Sequence, residues 1–221
     1  MTIKAVIFDL DGTWVDTLED NVNCTNASLT TLGVPTRSRD YIRKSVGDGI
    51  DTLARRVLPD PDPDQVNALV HLMRAYYQDQ LKETAAPYDG IIEMLSQLEA
   101  QGIRLSVLSN KPDRMTQSIV KRMFGKISFE SVVGQQEGVP LKPDPSGALN
   151  IARTMGLKPG DFLYVGDTEV DLKTGSAAGM QTISVTWGFR SADELIESGA
   201  GQLADSPIEI VRWIGPSSGD L

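Results

Sequence analysis

The chain has 221 residues, of which 40% are hydrophobic and 23% are charged, as in an ordinary water-soluble globular protein. Its 30 acidic residues outnumber its 21 basic residues, and the formal net charge is −9. Because binding to a nucleic-acid backbone needs clustered Lys and Arg, which are missing here, we expect no nucleic-acid partner. No apolar run approaches the length of a membrane span, and the single cysteine, Cys24, cannot form an intramolecular disulfide. We therefore expect a cytoplasmic protein that does not bind membranes.

The first apolar run, Ala5 to Phe8, predicts a buried parallel strand because it is short and apolar on both faces. Two carboxylates, Asp9 and Asp11, follow it directly, and Gly12 and Thr13 continue as a turn. Carboxylates at the end of a core strand are unfavourable unless a cation lies beside them. The carboxyl ends of parallel strands are also where α/β proteins bind ligands. The stretch is thus either a polar turn or one part of a ligand site.

Residues 18–86 carry helical patterns and no convincing strand. Apolar side chains recur at helical spacing in several stretches, the last of which runs from Val66 to Leu81. Glycines and prolines separate these stretches, at Gly33 and Pro35, at Gly47-Asp48-Gly49, and at Pro59 to Pro63. We therefore predict that residues 16–86 form an all-helical cap domain, inserted after the first strand.

From Pro87 onward, helical patterns alternate with short apolar runs. Such alternation is typical of a parallel sheet with helices on both faces. The predicted strands cover residues 103–108, 131–133, 162–165 and 182–185. We therefore predict an α/β protein whose Rossmann-like core consists of residues 1–15 and 87–221.

Further polar groups lie at the predicted strand ends, on the same edge of the sheet as the first pair of aspartates. They are Ser109-Asn110, Lys142 between prolines in a loop before a helix, and Asp167 with Asp171. The site would thus combine several carboxylates with one lysine and one serine. Carboxylate oxygens are ligands that Mg²⁺ prefers, and an ammonium and a hydroxyl suit phosphate oxygens. The sequence therefore predicts a magnesium site that faces a phosphate group.

Four motifs resemble those of the haloacid dehalogenase-like hydrolase superfamily, and they occur in the same order. They are Asp9-Leu-Asp11-Gly-Thr13, Ser109-Asn110-Lys111, Lys142-Pro-Asp-Pro145 and Gly166-Asp167-Thr168-Glu169-Val-Asp171. The helical insert resembles the first type of cap domain in that superfamily, and the most similar subgroup is the phosphoglycolate phosphatase-like enzymes. The resemblance implies Mg²⁺-dependent hydrolysis of a small phosphorylated metabolite, a phosphate monoester, with phosphoglycolate as the leading candidate.

The resemblance also implies a role for each matching residue. Asp9 would be the nucleophile that forms an aspartyl-phosphate, and Asp11 would protonate the leaving group and then activate water. The Asp9 side chain, the Asp11 backbone carbonyl and Asp167 would hold Mg²⁺, and Asp171 would support that shell. The residues implied to bind the phosphate or substrate are Thr13, Ser109, Asn110 and Lys142.

Several residues also have plainer interpretations. Asp171 could be an exposed acid in a first helical turn, Asp16 a helix cap or hinge anchor, and Lys111 only a surface charge. Trp14 replaces a smaller aliphatic residue of the superfamily and would narrow the entrance to the site or pack beneath the cap. The loop Gly47-Asp48-Gly49 either folds over the substrate or simply separates two helices.

Other activities stay open. A sugar-phosphate phosphatase, a pyrophosphatase or a phosphomutase would share the core motifs, although a phosphomutase should carry a histidine near the start of the cap. The only histidine, His71, lies deep in the insert. An alternative that is not an enzyme is a catalytically silent protein that holds a phosphorylated metabolite in the same pocket. A protein that only binds has no need for both Asp9 and Asp11. We expect a monomer or a homodimer.

Overall fold

The structure, a computed structural model, describes residues 2–80 and 85–215. The end of the predicted helix at Leu81 and the terminal tail at 216–221 lie outside the described residues. The strands are β1 (Ala5–Phe8), β2 (Val15–Asp16), β3 (Ala86–Pro87), β4 (Arg104–Pro112), β5 (Ser131–Gln135), β6 (Phe162–Gly166), β7 (Gln181–Val185) and β8 (Leu203–Ala204). The helices are α1 (Leu18–Thr31), α2 (Arg39–Ser45), α3 (Ile50–Val57), α4 (Pro63–Gln80), α5 (Ile91–Ala100), α6 (Asp113–Phe124), α7 (Ser146–Met155), α8 (Glu169–Ala177), α9 (Ala192–Glu197) and α10 (Pro207–Ile214).

A parallel six-stranded sheet forms the centre of the protein, in the order β5-β4-β1-β6-β7-β8. From β1 the chain builds the sheet outward through β4 and β5, and then returns to β6 on the other side of β1. The direction of winding thus reverses at β1. In an open α/β sheet, such a reversal opens a crevice at the carboxyl ends of the strands, where ligands bind.

Successive side chains of β1 pack on opposite faces of the sheet. Val6 and Phe8 belong to one hydrophobic cluster with side chains of α5, α6 and α10, whereas Ala5 and Ile7 belong to another with side chains of α7. The strand is fully buried, as the apolar run at its sequence position predicts. The predicted α/β fold with helices on both faces of a parallel sheet is confirmed.

Helices α1 to α4 follow β1 without an intervening long strand, and they share a hydrophobic cluster of their own. Its buried members include Leu29, Leu53, Leu69 and Met73, and Phe189 of the sheet-bearing part also belongs to it. We propose on this basis that residues 16–86 form the cap domain that the sequence predicts. The separate cluster is what supports that division.

A two-stranded antiparallel ribbon, which the sequence analysis missed, joins the two ends of the helical insert. It pairs Val15 with Pro87 and Asp16 with Ala86. Strands of two residues are too short to show an alternating pattern, so no sequence signal marks them. Asp16 also accepts a hydrogen bond from the Leu18 backbone N–H at 3.1 Å, which is the capping role expected for it.

Two expectations need correction. The strand predicted to end at Leu108 continues to Pro112, with a register irregularity between Leu108 and Pro112. Trp14 lies neither at the entrance nor beneath the cap: it is fully buried in the core, with its ring against Phe8 and Phe124. Its size suits a gap between β1 and α6 that the sequence pattern could not reveal.

Within residues 2–80 and 85–215, no helix has both the length and the apolar character needed to cross a membrane.

Candidate active site

A cleft opens at the carboxyl end of the sheet, between β1 and the helices of the insert. Its two sides differ in chemistry. The floor is polar and includes Asp9, Asp11, Ser109, Asn110, Lys142, Thr168 and Asp171. The opposite side is mostly apolar and includes Val46, Ile50, Leu53, Met73, Tyr77, Met115 and Phe189.

The turn after β1 places the first two aspartates on the floor. The backbone N–H of Asp9 continues the sheet by donating to the Val165 carbonyl at 2.9 Å. The chain then folds back, and the N–H groups of Trp14 and Val15 both donate to the Leu10 carbonyl. Because β1 ends just before Asp9 and the chain turns back at once, both carboxylates lie on the floor of the cleft.

Lys142 links two of the buried carboxylates. Its Nζ lies 2.7 Å from Oδ1 of Asp9 and 2.7 Å from Oδ1 of Asp171. Burial alone lowers the pKa of Lys142, but the charges of Asp171 and Asp9 outweigh it and hold that pKa well above its ordinary value. Lys142 is therefore charged, and it belongs to the site rather than to the surface.

Asp171 is buried, so the interpretation of it as an exposed helical acid is wrong. Its Oδ2 accepts hydrogen bonds from the backbone N–H and the hydroxyl of Thr168, at 3.2 and 2.8 Å. The first turn of α8 thus fixes one carboxylate oxygen, while the other faces Lys142. Asp171 serves both the helix N-terminus and the cleft.

Asp167, at the end of β6, completes a group of three buried carboxylates with Asp9 and Asp171, whose ligand oxygens lie within 4.8 Å of one another. Its own oxygens accept hydrogen bonds from the Thr13 hydroxyl at 3.0 Å and from the Phe189 N–H at 2.7 Å. These bonds hold its orientation and leave lone pairs for another ligand. The three aspartates can therefore hold a metal ion.

The electrostatics of this group fit a divalent cation. Burial raises the pKa of Asp9 from its ordinary value to about 7, although Lys142 lowers it. Burial, followed by the charges of Asp9 and Asp171, raises the pKa of Asp167 well above its ordinary value. The protein's own cation, Lys142, is thus too little to compensate three buried carboxylates, and a metal ion of charge +2 would balance them.

Asp11 has a different partner. Its two carboxylate oxygens lie 3.1 and 3.0 Å from Nζ of Lys111, whose side chain is 6% exposed. The same Nζ lies 5.2 Å from the centre of the Tyr77 ring, on α4. The interpretation of Lys111 as a surface charge is therefore wrong, because it is buried between the sheet edge and the helical insert.

The predicted phosphate-binding residues differ in whether their side chains face the cleft or bind other groups of the protein. Ser109 lines the cleft, and its Oγ accepts the Lys111 N–H at 3.2 Å. The Thr13 hydroxyl donates to Asp167 instead of facing the cleft. The Asn110 side chain binds backbone: it accepts the Lys142 N–H and donates to the carbonyls of Lys142 and Gly47. Their roles toward a substrate stay predictions.

Two arginines outside the four motifs join the insert to the sheet-bearing part; of these, the sequence offers only Arg190, which follows the last predicted strand, as a functional candidate. Arg190, near the end of β7, donates to the carboxylate of Glu169 and to the carbonyls of Arg43 and Val46. Arg43 donates in return to the Phe189 carbonyl and to Glu194. No motif contains these residues, because their role depends on how the helical insert packs against the sheet-bearing part.

Comparisons with known proteins agree with this geometry. The profile of one family, described as haloacid dehalogenase-like hydrolase, matches residues 6–185. A phosphoglycolate phosphatase of Nitrosococcus oceani is 30% identical, over 97% of this chain and 98% of its own length. An N-acetylmuramic acid 6-phosphate phosphatase of Pseudomonas aeruginosa is also 30% identical, over 96% of this chain and 94% of its own length.

A solved structure from Lactobacillus delbrueckii subsp. bulgaricus superposes with a TM-score of 0.88 at 27% identity. It covers 97% of this chain and 99% of its own. The resemblance that the four motifs suggest, including the resemblance to phosphoglycolate phosphatases, is thereby confirmed.

Proposed function

The chain belongs to the haloacid dehalogenase-like hydrolase family, and we propose that it is a Mg²⁺-dependent phosphatase of small phosphate monoesters. The observation that carries the proposal is the buried group at the end of β1, where Lys142 contacts Asp9 and Asp171 while Asp167 lies beside them. A nucleophile, a fixed cation and a place for a metal ion meet there. That combination suits phosphoryl transfer, which depends on positioning and on compensation of negative charge.

In the proposed reaction, a carboxylate oxygen of Asp9 attacks phosphorus, and the bond from phosphorus to the ester oxygen breaks. Asp11 gives a proton to the departing oxygen. Water then attacks phosphorus of the aspartyl-phosphate, Asp11 takes the proton of that water, and phosphate leaves with Asp9 restored. Closure of the helical insert would exclude water in the first step.

The other residues of the site bind and orient. Lys142 and Ser109 would contact the phosphoryl oxygens, and Thr13 would act through the orientation of Asp167. Asp9, Asp167 and the Asp11 backbone carbonyl would hold Mg²⁺, with Asp171 beside them. The ion would supply positive charge against the phosphoryl oxygens.

Phosphoglycolate is the leading substrate, because that is the activity named for the Nitrosococcus oceani relative. A sugar phosphate is the second candidate. The relative named an N-acetylmuramic acid 6-phosphate phosphatase has the same 30% identity to this chain.

The proposal is tested by phosphate release from a panel of phosphorylated metabolites, with Mg²⁺ and with EDTA. We expect metal-dependent release that is highest for phosphoglycolate and absent from Asp9→Asn, which should keep the fold intact. Asp60→Asn, in an exposed turn of the insert, is the matched control and should keep full activity. Full activity of Asp9→Asn would refute the mechanism. No release from any ester would favour the catalytically silent binding protein.

A further inference from the structure

The cleft holds a second lysine that the proposed chemistry leaves unused. Lys111 lines the cleft two residues beyond Ser109, and it contacts Asp11, whereas Lys142 contacts Asp9. Among the described residues that line the cleft, the cationic side chains are Lys111 and Lys142. Lys142, between Asp9 and Asp171, is assigned to the phosphoryl oxygens, so Lys111 is the remaining cation for the rest of a substrate.

Distance places Lys111 beside the leaving group. In the proposed reaction Asp11 forms a hydrogen bond of roughly 3 Å to the ester oxygen. Nζ of Lys111 lies 3.0 and 3.1 Å from the oxygens of the same carboxylate. Nζ therefore lies within roughly 6 Å of the ester oxygen. At that distance it can bind a substrate carboxylate that is joined to the ester oxygen through one carbon atom.

The surroundings strengthen such a contact. An ammonium has three N–H donors, and Asp11 does not use all of them. The Tyr77 ring covers Nζ from α4, and apolar side chains, among them Leu53 and Met73, form the opposite wall. Because Lys111 is buried, an ion pair that it forms is screened less than an ion pair in water.

We propose that Lys111 is a specificity-determining residue that selects phosphate monoesters whose leaving group carries a carboxylate close to the ester oxygen. This inference rests on the proposed phosphatase function and names its substrate class. The carbon skeleton of the leaving group would lie against the apolar wall, and its carboxylate would bind Nζ beside Asp11.

Three esters of equal length test the inference: phosphoglycolate, 2-hydroxyethyl phosphate and phosphoethanolamine, whose far ends are negative, neutral and positive. For the wild type we expect kcat/KM to fall in that order, by about 10- to 100-fold from phosphoglycolate to 2-hydroxyethyl phosphate. Lys111→Met should reduce this ratio to within a few-fold of one, and Lys111→Arg should keep part of it. Any influence of Lys111 on Asp11 is common to the esters and cancels in the ratio.

An unchanged ratio in Lys111→Met, with equal losses on the negative and neutral esters, would overturn the inference, since Lys111 would then only position Asp11. A wild type without preference for the negative ester would overturn it too, and that result is available even where Lys111→Met fails to fold. Failure of the proposed function has a different signature. No ester would then release phosphate in an Asp9-dependent way, and both proposals would fall together.

Discussion

At the scale of single residues, two buried lysines, Lys111 at the end of β4 and Lys142 in the loop before α7, contact different carboxylates of the cleft. Lys142 contacts Asp9 and Asp171, whereas Lys111 contacts Asp11. The two aspartates of the first motif, although they are one residue apart, thus have separate electrostatic environments. We infer that this separation allows one of them to act as nucleophile and the other to transfer protons.

The raised pKa of Asp9, about 7, predicts how Mg²⁺ binding depends on pH. A metal ligand must be ionised, so below that pKa Mg²⁺ has to displace a proton. The apparent affinity for Mg²⁺ should therefore rise from about pH 6 to about pH 8, by at most about tenfold per pH unit for each proton released. Calorimetric titrations in two buffers of different ionisation enthalpy would count the protons. A smaller slope is expected for Asp9→Asn, and a flat wild-type profile would contradict this assignment.

The sequence predicts which residues form the site better than it predicts how buried they are and what they contact. The charged residues of the floor, including Asp9 and Lys142, follow from motifs. Asp9 is an unfavourable carboxylate at the end of a core strand, and Lys142 lies between prolines in a loop before a helix. Lys111 and Trp14 were misplaced by the sequence analysis. Lys111 contacts Tyr77 of α4, and Trp14 packs against Phe124 of α6. These helices are far from the two residues in the sequence, so a local pattern cannot predict the contacts.

At the scale of elements, the turn after β1 brings the first motif against the end of β6. Gly12 has a φ of +85°, in the left-handed region, and a Cβ there would lie 2.3 Å from Oδ2 of Asp167. The backbone of the turn therefore leaves room for the Asp167 carboxylate because residue 12 has no side chain. The position of one candidate metal ligand thus depends on a glycine in a different element.

We predict that Gly12→Ala weakens Mg²⁺ binding about 10- to 100-fold and lowers the free energy of unfolding by about 1–3 kcal/mol. The added methyl group must displace Asp167, in addition to its backbone strain. Gly102→Ala is the matched control, because Gly102 also has a positive φ of +75° but no atom within 4 Å of an added Cβ. Gly102→Ala should lower the free energy of unfolding but leave the Mg²⁺ affinity unchanged. Equal Mg²⁺ affinities for the two variants would show that the turn does not set the position of Asp167.

The regular elements could be read from the sequence, and their irregular ends could not. The buried strands β1, β6 and β7 were predicted within one residue at each end. The end of β4 was not, since its register irregularity depends on β5 beside it. That irregular end carries Ser109, Asn110 and Lys111, so the least predictable backbone lies at the site itself.

At the scale of the whole molecule, hydrogen bonds in both directions fasten the helical insert over the cleft. Arg190 and Asn110 donate to backbone carbonyls at Arg43, Val46 and Gly47, and Arg43 donates back to Phe189. The loop Gly47-Asp48-Gly49 therefore lies against the floor of the site as well as between two helices. We infer that these contacts set how often the cleft is closed.

Arg190→Met should open this junction. Its side chain is 7% exposed and bonds both Glu169 and the end of α2, so we predict a loss of about 1.5–3 kcal/mol in the free energy of unfolding. Amide hydrogen exchange at residues 46–49 should become faster. Arg39→Met, which removes an exposed ion pair with Glu19, should cost at most about 1 kcal/mol. If the amide hydrogens of residues 46–49 exchange at the same rate in Arg190→Met and Arg39→Met, Arg190 does not hold the insert in place.

The central claim is that Asp9 is phosphorylated during turnover and that Asp11 is needed to release the phosphate. It is tested most directly with Asp11→Asn and an aryl phosphate, whose leaving group departs without a proton. After an acid quench, mass spectrometry of the Asp9 peptide should show one added phosphoryl group in Asp11→Asn and little in the wild type. Aryl phosphate cleavage by Asp11→Asn at the wild-type steady rate, with Asp9 unmodified, would contradict the account.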